Sequence, residues 1–303
     1  MPAAAHDRRP LDELRPLVPS GRVTTPDGVG VAYYDLGGTG PPLVLAHATG
    51  FCAATLAPVA RRLADAFRCI ALDQRGHGSS DPPAGGNFDW HGFATDVLVL
   101  IDHLGLEHPL GVGHSCGGAA LLLAEEARPG TFAGLYCFEP VVYPGDVPLA
   151  PDGDNPLSVG ARRRRASFAS RGDALANFSG KTPFDRLDPE VLALYVDNGF
   201  APDTDGTITL RCRPEHESEV YAHALSHDAF ARLGAVRCPV TLACGSDTDA
   251  FGVEFLSHCA ARLDHPTTAV AAGIGHFGPL EDPALVASSV RRALIPRADT
   301  PPA

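Results

Sequence analysis

From about residue 20 the chain alternates short, unbroken apolar runs with stretches of helical periodicity. "PLVLAH" (42–47) precedes a helix over roughly 55–66, and "RCIALD" (68–73) precedes one over roughly 89–104. "PLGVGHS" (109–115) runs into the Ala/Leu-rich "GGAALLLAEEA", and "FAGLYCFEP" (132–140) is the next strand. The rhythm returns with "CPVTLACG" (238–245), a helix near 252–263, "TTAVAAG" (267–273) and the closing helix "DPALVASSVRRAL" (282–294). Strands that are apolar without strict alternation need cover on both faces, as in a parallel sheet flanked by helices. Ahead of them, two β-type runs flank Asp27-Gly28, a hairpin signal.

Between 142 and 235 the rhythm breaks. This stretch is richer in Arg, Asp and Pro, its helices look irregular, and no strand resembles those of the core. The pattern therefore predicts an α/β fold: a mostly parallel twisted sheet with helices on both faces, built from 21–141 and 236–303. A mainly helical cap is inserted at 142–235, and segment 1–20 is expected to be loosely ordered.

A formal charge of −12 over 303 residues lacks the basic footprint of a nucleic-acid or anionic-membrane surface. The eight cysteines are scattered with no C-x-x-C pair, which argues against a disulfide framework or a zinc site. No apolar run has the length of a membrane span, and the N-terminus lacks a signal-peptide core. The expectation is a cytoplasmic protein acting on a small molecule, with no cofactor, metal, nucleic acid or membrane span. Oligomeric state leaves no trace in the sequence.

The chemistry gathers around Gly113-His114-Ser115-Cys116-Gly117, a G-x-S-x-G between an apolar strand and a helix. A turn tight enough to lift a side chain above the sheet leaves no room for Cβ atoms two positions either side. Ser115 is the candidate nucleophile; Cys116, beside it, is not the residue such a turn aims. His276 in "GIGHFGPLEDP" is the candidate base, placed after the last predicted strand at the same sheet edge. "CGSDTDAFG" offers the acid: Asp249 is preferred, with Asp247 and Glu139 (at the end of "LYCFEP") as alternatives. Backbone N–H groups of Thr49 and Cys116, with Gly50 and Phe51 nearby, are the oxyanion donors. Phe51, His114 and Phe277 are the expected pocket residues, and His114, like His47 and His77, is also read as a packing or loop-bonding group. The run Arg162, Arg163, Arg164, Arg165 cannot face one way; it reads as solvated surface, with one arginine reaching an anionic substrate as the alternative. Phe168, Phe178, Phe184 and Tyr195 are expected to form the cap's own core and part of a pocket wall.

These motifs together resemble the α/β-hydrolase superfamily, in its serine-nucleophile, cap-bearing form. "HATGFCA" is similar to its oxyanion loop with Ala48 in place of a glycine, "DQRGHGSSDPP" to the segment after an early strand, and "GHSCGG" and "GIGHFGPLEDP" to its elbow and histidine loop. The resemblance places the usual acid at Thr248, one residue before Asp249. It implies a Ser–acid–His hydrolase of a small to medium carboxylic ester, thioester or lactone. C–C bond hydrolysis, cofactor-independent perhydrolysis and non-catalytic ligand binding stay as alternatives. A serine at 115 argues against the epoxide hydrolases and haloalkane dehalogenases of this fold, which use a carboxylate nucleophile.

Overall fold

A computed structural model describes residues 16–143 and 155–295. Most of the expected loose N-terminal segment (1–15) and the start of the expected cap (144–154) lie outside the described residues.

The main sheet begins with β1 (Gly21–Thr24), β2 (Gly30–Gly37), β3 (Pro42–Ala46), β4 (Arg68–Leu72), β5 (Leu110–His114) and β6 (Gly134–Phe138). After the insertion, which holds β7 (Ser167–Phe168), β8 (Phe200–Pro202) and β9 (Ile208–Leu210), it is completed by β10 (Val240–Gly245) and β11 (Pro266–Ala271). The spatial order is β1-β2-β4-β3-β5-β6-β10-β11. The hairpin read at Asp27-Gly28 joins β1 to β2; β2 also runs antiparallel to β4, and all other neighbours are parallel.

The helices before the insertion are α1 (Ala57–Leu63), α2 (Trp90–Leu104) and α3 (Cys116–Ala127). The insertion contributes α4 (Pro156–Arg162), α5 (Arg171–Ser179), α6 (Pro189–Gly199), α7 (Pro214–Ala222) and α8 (Ala229–Arg232). After it come α9 (Val253–Ala260), α10 (Gly278–Glu281) and α11 (Pro283–Leu294). Central strands feed a core on each face of the sheet: in β3, Val44 and Ala46 join α2, α3 and α9, whereas Leu43 and Leu45 join α1 and α11. This double burial is why the strands read as continuous apolar runs. The predicted architecture is the observed one, a mostly parallel sheet covered on both faces with a mainly helical insertion.

The insertion differs from expectation in one respect. It carries a small antiparallel sheet, β7-β9-β8. Strands of two or three residues are too short to display a period-two pattern, so the sequence gives no sign of them. The insertion is tied down by specific bonds. Arg61 of α1 makes a two-pronged ion pair with Glu190 of α6 (2.9 and 2.7 Å), and Trp90 Nε1 of α2 donates to Val220 O of α7 (3.0 Å).

One buried ion pair ties the start of the chain to the core. Arg75, 3% exposed, follows β4 and donates to Asp96 of α2, which is fully buried (2.7 Å), and to Asp27 in the hairpin turn (2.9 Å). An arginine so buried is tolerated only while its carboxylates remain. Asp96→Leu should therefore lower unfolding free energy by about 3–5 kcal/mol in urea titrations. Adding Arg75→Met should restore most of that loss; a double variant as unstable as the sum of the singles would contradict this account.

Candidate active site

The turn between β5 and α3 has the geometry its glycines imply. Ser115 sits at φ 55°, ψ −117°, a left-handed conformation that serine rarely adopts. A Cβ on Gly113 would lie 2.6 Å from Gly117 O, and one on Gly117 would lie 2.2 Å from Ala46 O. Either contact is too close for any side chain, so the tight turn needs glycine at both positions. The elbow is pinned to its neighbour strand by Ser115 N–H donating to Phe138 O (2.9 Å).

Ser115 Oγ lies 3.2 Å from His276 Nε2, and His276 Nδ1 lies 2.7 Å from Glu139 Oε2. An ionised carboxylate can only accept, so Nδ1 carries the proton and Nε2 presents a lone pair to the serine hydroxyl. Glu139 is fully buried. It accepts from Gly245 N–H (3.0 Å) and from the Thr248 hydroxyl (2.8 Å), and its own N–H extends the sheet by donating to Ala243 O (2.8 Å).

The expected Asp249–His276 pairing is thus corrected. Asp249 and Asp247 are both exposed; Asp247 accepts from Ser246 Oγ (2.7 Å), and neither carboxylate bonds the histidine. The reason lies in the loop's phase. Thr248, the position where the family resemblance puts an acid, turns inward onto Glu139, and Asp249 comes one residue too late to follow it. Thr248 escaped the sequence reading because a threonine between two aspartates looks like turn chemistry.

Among the candidate oxyanion donors, hydrogen bonding separates the four. Gly50 N–H donates to His77 Nε2 (3.0 Å) and Phe51 N–H to Ala48 O (3.2 Å). Thr49 N–H has no acceptor among the described residues, and Cys116 N–H opens α3, where the first amides lack intrahelical partners. The Cys116 thiol is buried, faces Gln74 Oε1 (3.9 Å), and has its pKa pushed up to about 12 by burial. It stays protonated.

The loop carrying Thr49 is held by buried histidines, as packing and loop-bonding groups should be. His47 Nδ1–H donates to Ala48 O (2.8 Å) while its Nε2 accepts from Gln74 N–H (3.0 Å). His77 Nδ1–H donates to Arg75 O (3.0 Å), leaving Nε2 to receive Gly50 N–H. Burial lowers the pKa of His47 to about 4 and of His77 to about 3, so both are neutral in these roles.

A cavity lies over the serine in two lobes, of about 600 and about 510 Å³. Thr49, Tyr221, Asp249, His276 and Phe277 line both; Ser115 opens into the second. Phe51 lines the first lobe, in ring contact with Tyr195 (5.3 Å), Phe184 (5.7 Å) and Phe277 (5.7 Å). Phe51 and Phe277 therefore stand where the pocket residues were expected. His114 does not. It is buried beneath the wall, its Nε2–H donating to His276 O (2.8 Å) and its pKa well below the ordinary value through burial. Of the four arginines, Arg164 alone lines the cavity, bonded to Glu217 and to the Tyr195 hydroxyl (2.5 Å); Arg162 pairs with Glu219 (3.1 Å) and Arg165 stacks on Phe168 (4.3 Å). Phe168, Phe178, Phe184 and Tyr195 form one aromatic cluster.

All eight cysteines are buried and unpaired, and among the described residues no helix is long and apolar enough to cross a membrane. The sequence pattern of the Alpha/beta hydrolase family matches residues 43–289. The 2-(acetamidomethylene)succinate hydrolase of Mesorhizobium japonicum is 38% identical over 243 residues, 79% of this chain and 83% of that protein. The non-heme chloroperoxidase of Streptomyces lividans is 36% identical over 157 residues, 50% of this chain and 55% of that one. In structure, a crystallised E-2-(acetamidomethylene)succinate hydrolase superposes with a TM-score of 0.76 at 21% identity, covering 90% of this chain and 98% of the other.

The neutral histidines make stability pH-dependent. Their pKa values rise to about 6.5 on unfolding, so below that pH the unfolded chain binds protons the folded chain refuses. Their contribution is complete above about pH 6.5 and is lost as pH falls toward about 4 for His47 and about 3 for His77. Urea titrations should show a slope of up to about 1.4 kcal/mol per pH unit for each histidine, reduced in His77→Gln. An identical slope in that variant would remove His77 from the explanation.

Proposed function

Because the chain belongs to the α/β-hydrolase family, we propose that it is a serine hydrolase in which Ser115 is the nucleophile, His276 the general base and Glu139 the acid. The observation that carries this reading is the unbroken run of hydrogen bonds from Ser115 Oγ through His276 to buried Glu139. The substrate is a small to medium carboxylic ester, thioester or lactone, held under residues 155–235 acting as a cap.

The reaction follows from the geometry. His276 Nε2 takes the hydroxyl proton as Ser115 Oγ attacks the carbonyl carbon, and Glu139 stabilises the imidazolium that forms. The negative charge that develops on the carbonyl oxygen is met by Thr49 and Cys116 N–H, the two free donors beside the serine. Each such donor is worth about 10²–10³ in rate. His276 returns its proton to the leaving group, and an acyl-serine remains. Water, activated by the same histidine, then releases the acid and restores the hydroxyl. Because Glu139 is bonded by Gly245 and Thr248 on a rigid strand end, the imidazole cannot swing from this line.

A fluorophosphonate probe tests the assignment. Ser115→Ala should abolish labelling, His276→Ala and Glu139→Gln should slow it by about 10³-fold or more, and Asp249→Asn should slow it less than about tenfold. Slow labelling in Asp249→Asn with full labelling in Glu139→Gln would return the acid role to Asp249.

A further inference from the structure

The charged groups around the cavity do not balance, and the imbalance has a direction. Six acidic or basic side chains other than His276 line it: Arg164, Arg186, Glu217, Glu281, Asp247 and Asp249. Both arginines are already engaged. Arg164 is bonded to Glu217 and to the Tyr195 hydroxyl, with the rings of Phe178 (5.9 Å) and Phe184 (5.8 Å) beside its guanidinium. Arg186 pairs with Glu281 at 3.1 Å.

The two aspartates have no cationic partner among the described residues. Asp249 borders both lobes together with His276. Two positive and four negative groups leave a net charge of −2 on the lining, and the Glu139 carboxyl lies just behind His276. The lobe that holds Ser115 is walled mostly by apolar groups, among them Trp90, Val141, Leu225 and Phe251, with Asn155 and Ser226 as uncharged polar groups. At the junction of the lobes stands Tyr221, whose hydroxyl has no hydrogen-bond partner among the described residues and so is open to a polar group of the ligand.

From this we infer that the site selects against anionic substrates and takes molecules with one apolar part and one neutral or cationic part. The inference rests on the serine-hydrolase reading and deepens it. An incoming carboxylate would compete with buried Glu217 for the Arg164 guanidinium and with buried Glu281 for half-exposed Arg186, and would also meet the field of Asp247 and Asp249. A trimethylammonium or an uncharged group meets neither obstacle.

The test measures how fast Ser115 in the purified full chain is phosphonylated by three nitrophenyl phosphonates. Their alkoxy arms are alike except that they end in a tert-butyl, a trimethylammonium or a carboxylate group. The carboxylate probe should react about tenfold or more slowly than the tert-butyl probe, the trimethylammonium probe at least as fast, and the spread should narrow with added salt. Glu217→Gln, which frees Arg164, and Asp249→Asn, at an exposed position, should each raise the carboxylate-to-tert-butyl ratio severalfold. Equal rates for all three probes, or a faster carboxylate probe, would overturn the charge selectivity while leaving the serine hydrolase intact. No reaction at Ser115 with any probe would sink the hydrolase reading, and the selectivity with it.

Discussion

The strained turn at Ser115 is the constraint on which the rest of the site depends. A serine at φ 55° costs of order 1–3 kcal/mol, and it persists because its surroundings leave no alternative. Behind it the bare Cα atoms of Gly113 and Gly117 pass against neighbouring backbone, and its N–H is fixed to the end of β6. That bond also sets the end of the adjacent strand, where Glu139 emerges at φ 44° with its own N–H on β10. Ser115 and Glu139 are thus held by one continuous stretch of sheet edge, and His276 bridges them.

The position of Glu139 carries a physical consequence. In the sheet order, β6 lies between β5 and β10, so a carboxylate on the residue that directly follows it is central and reaches the histidine without a loop of its own. Buried and triply bonded, Glu139 gives the imidazole one tautomer and one orientation. The loop after β10 retains a part in this arrangement, with Thr248 bracing Glu139 while Asp247 and Asp249 face the cavity.

The same division of labour appears on the other side of the serine. His47, His77 and Gln74 hold the loop of Thr49 by occupying the neighbouring amides and carbonyls, which leaves the Thr49 N–H without an acceptor among the described residues. Above it the insertion contributes a roof of aromatic rings and a buried ion pair. The roof's charge is fixed less by how many arginines it holds than by how many of them are already paired.

Much of this was written in local sequence. The apolar runs, the hairpin dipeptide and the glycines of the elbow act through neighbours in the chain, so they fixed the strand order in sequence, the double-faced sheet, Ser115 and the loop of His276. The candidate oxyanion donors could be narrowed to 49–51 and Cys116 for the same reason. What local pattern could not decide was anything that turns on which strands lie side by side. The sequence favours Asp249 in "CGSDTDAFG" over Glu139 near the end of "LYCFEP"; the order reverses once β6 is seen between the elbow strand and β10, with Thr248 bonded to Glu139 and Asp249 facing the cavity without a bond to His276. Likewise four consecutive arginines read as solvated charge, and only tertiary packing selects Arg164, because burying one guanidinium requires a carboxylate, a phenol and aromatic faces brought from distant parts of the chain.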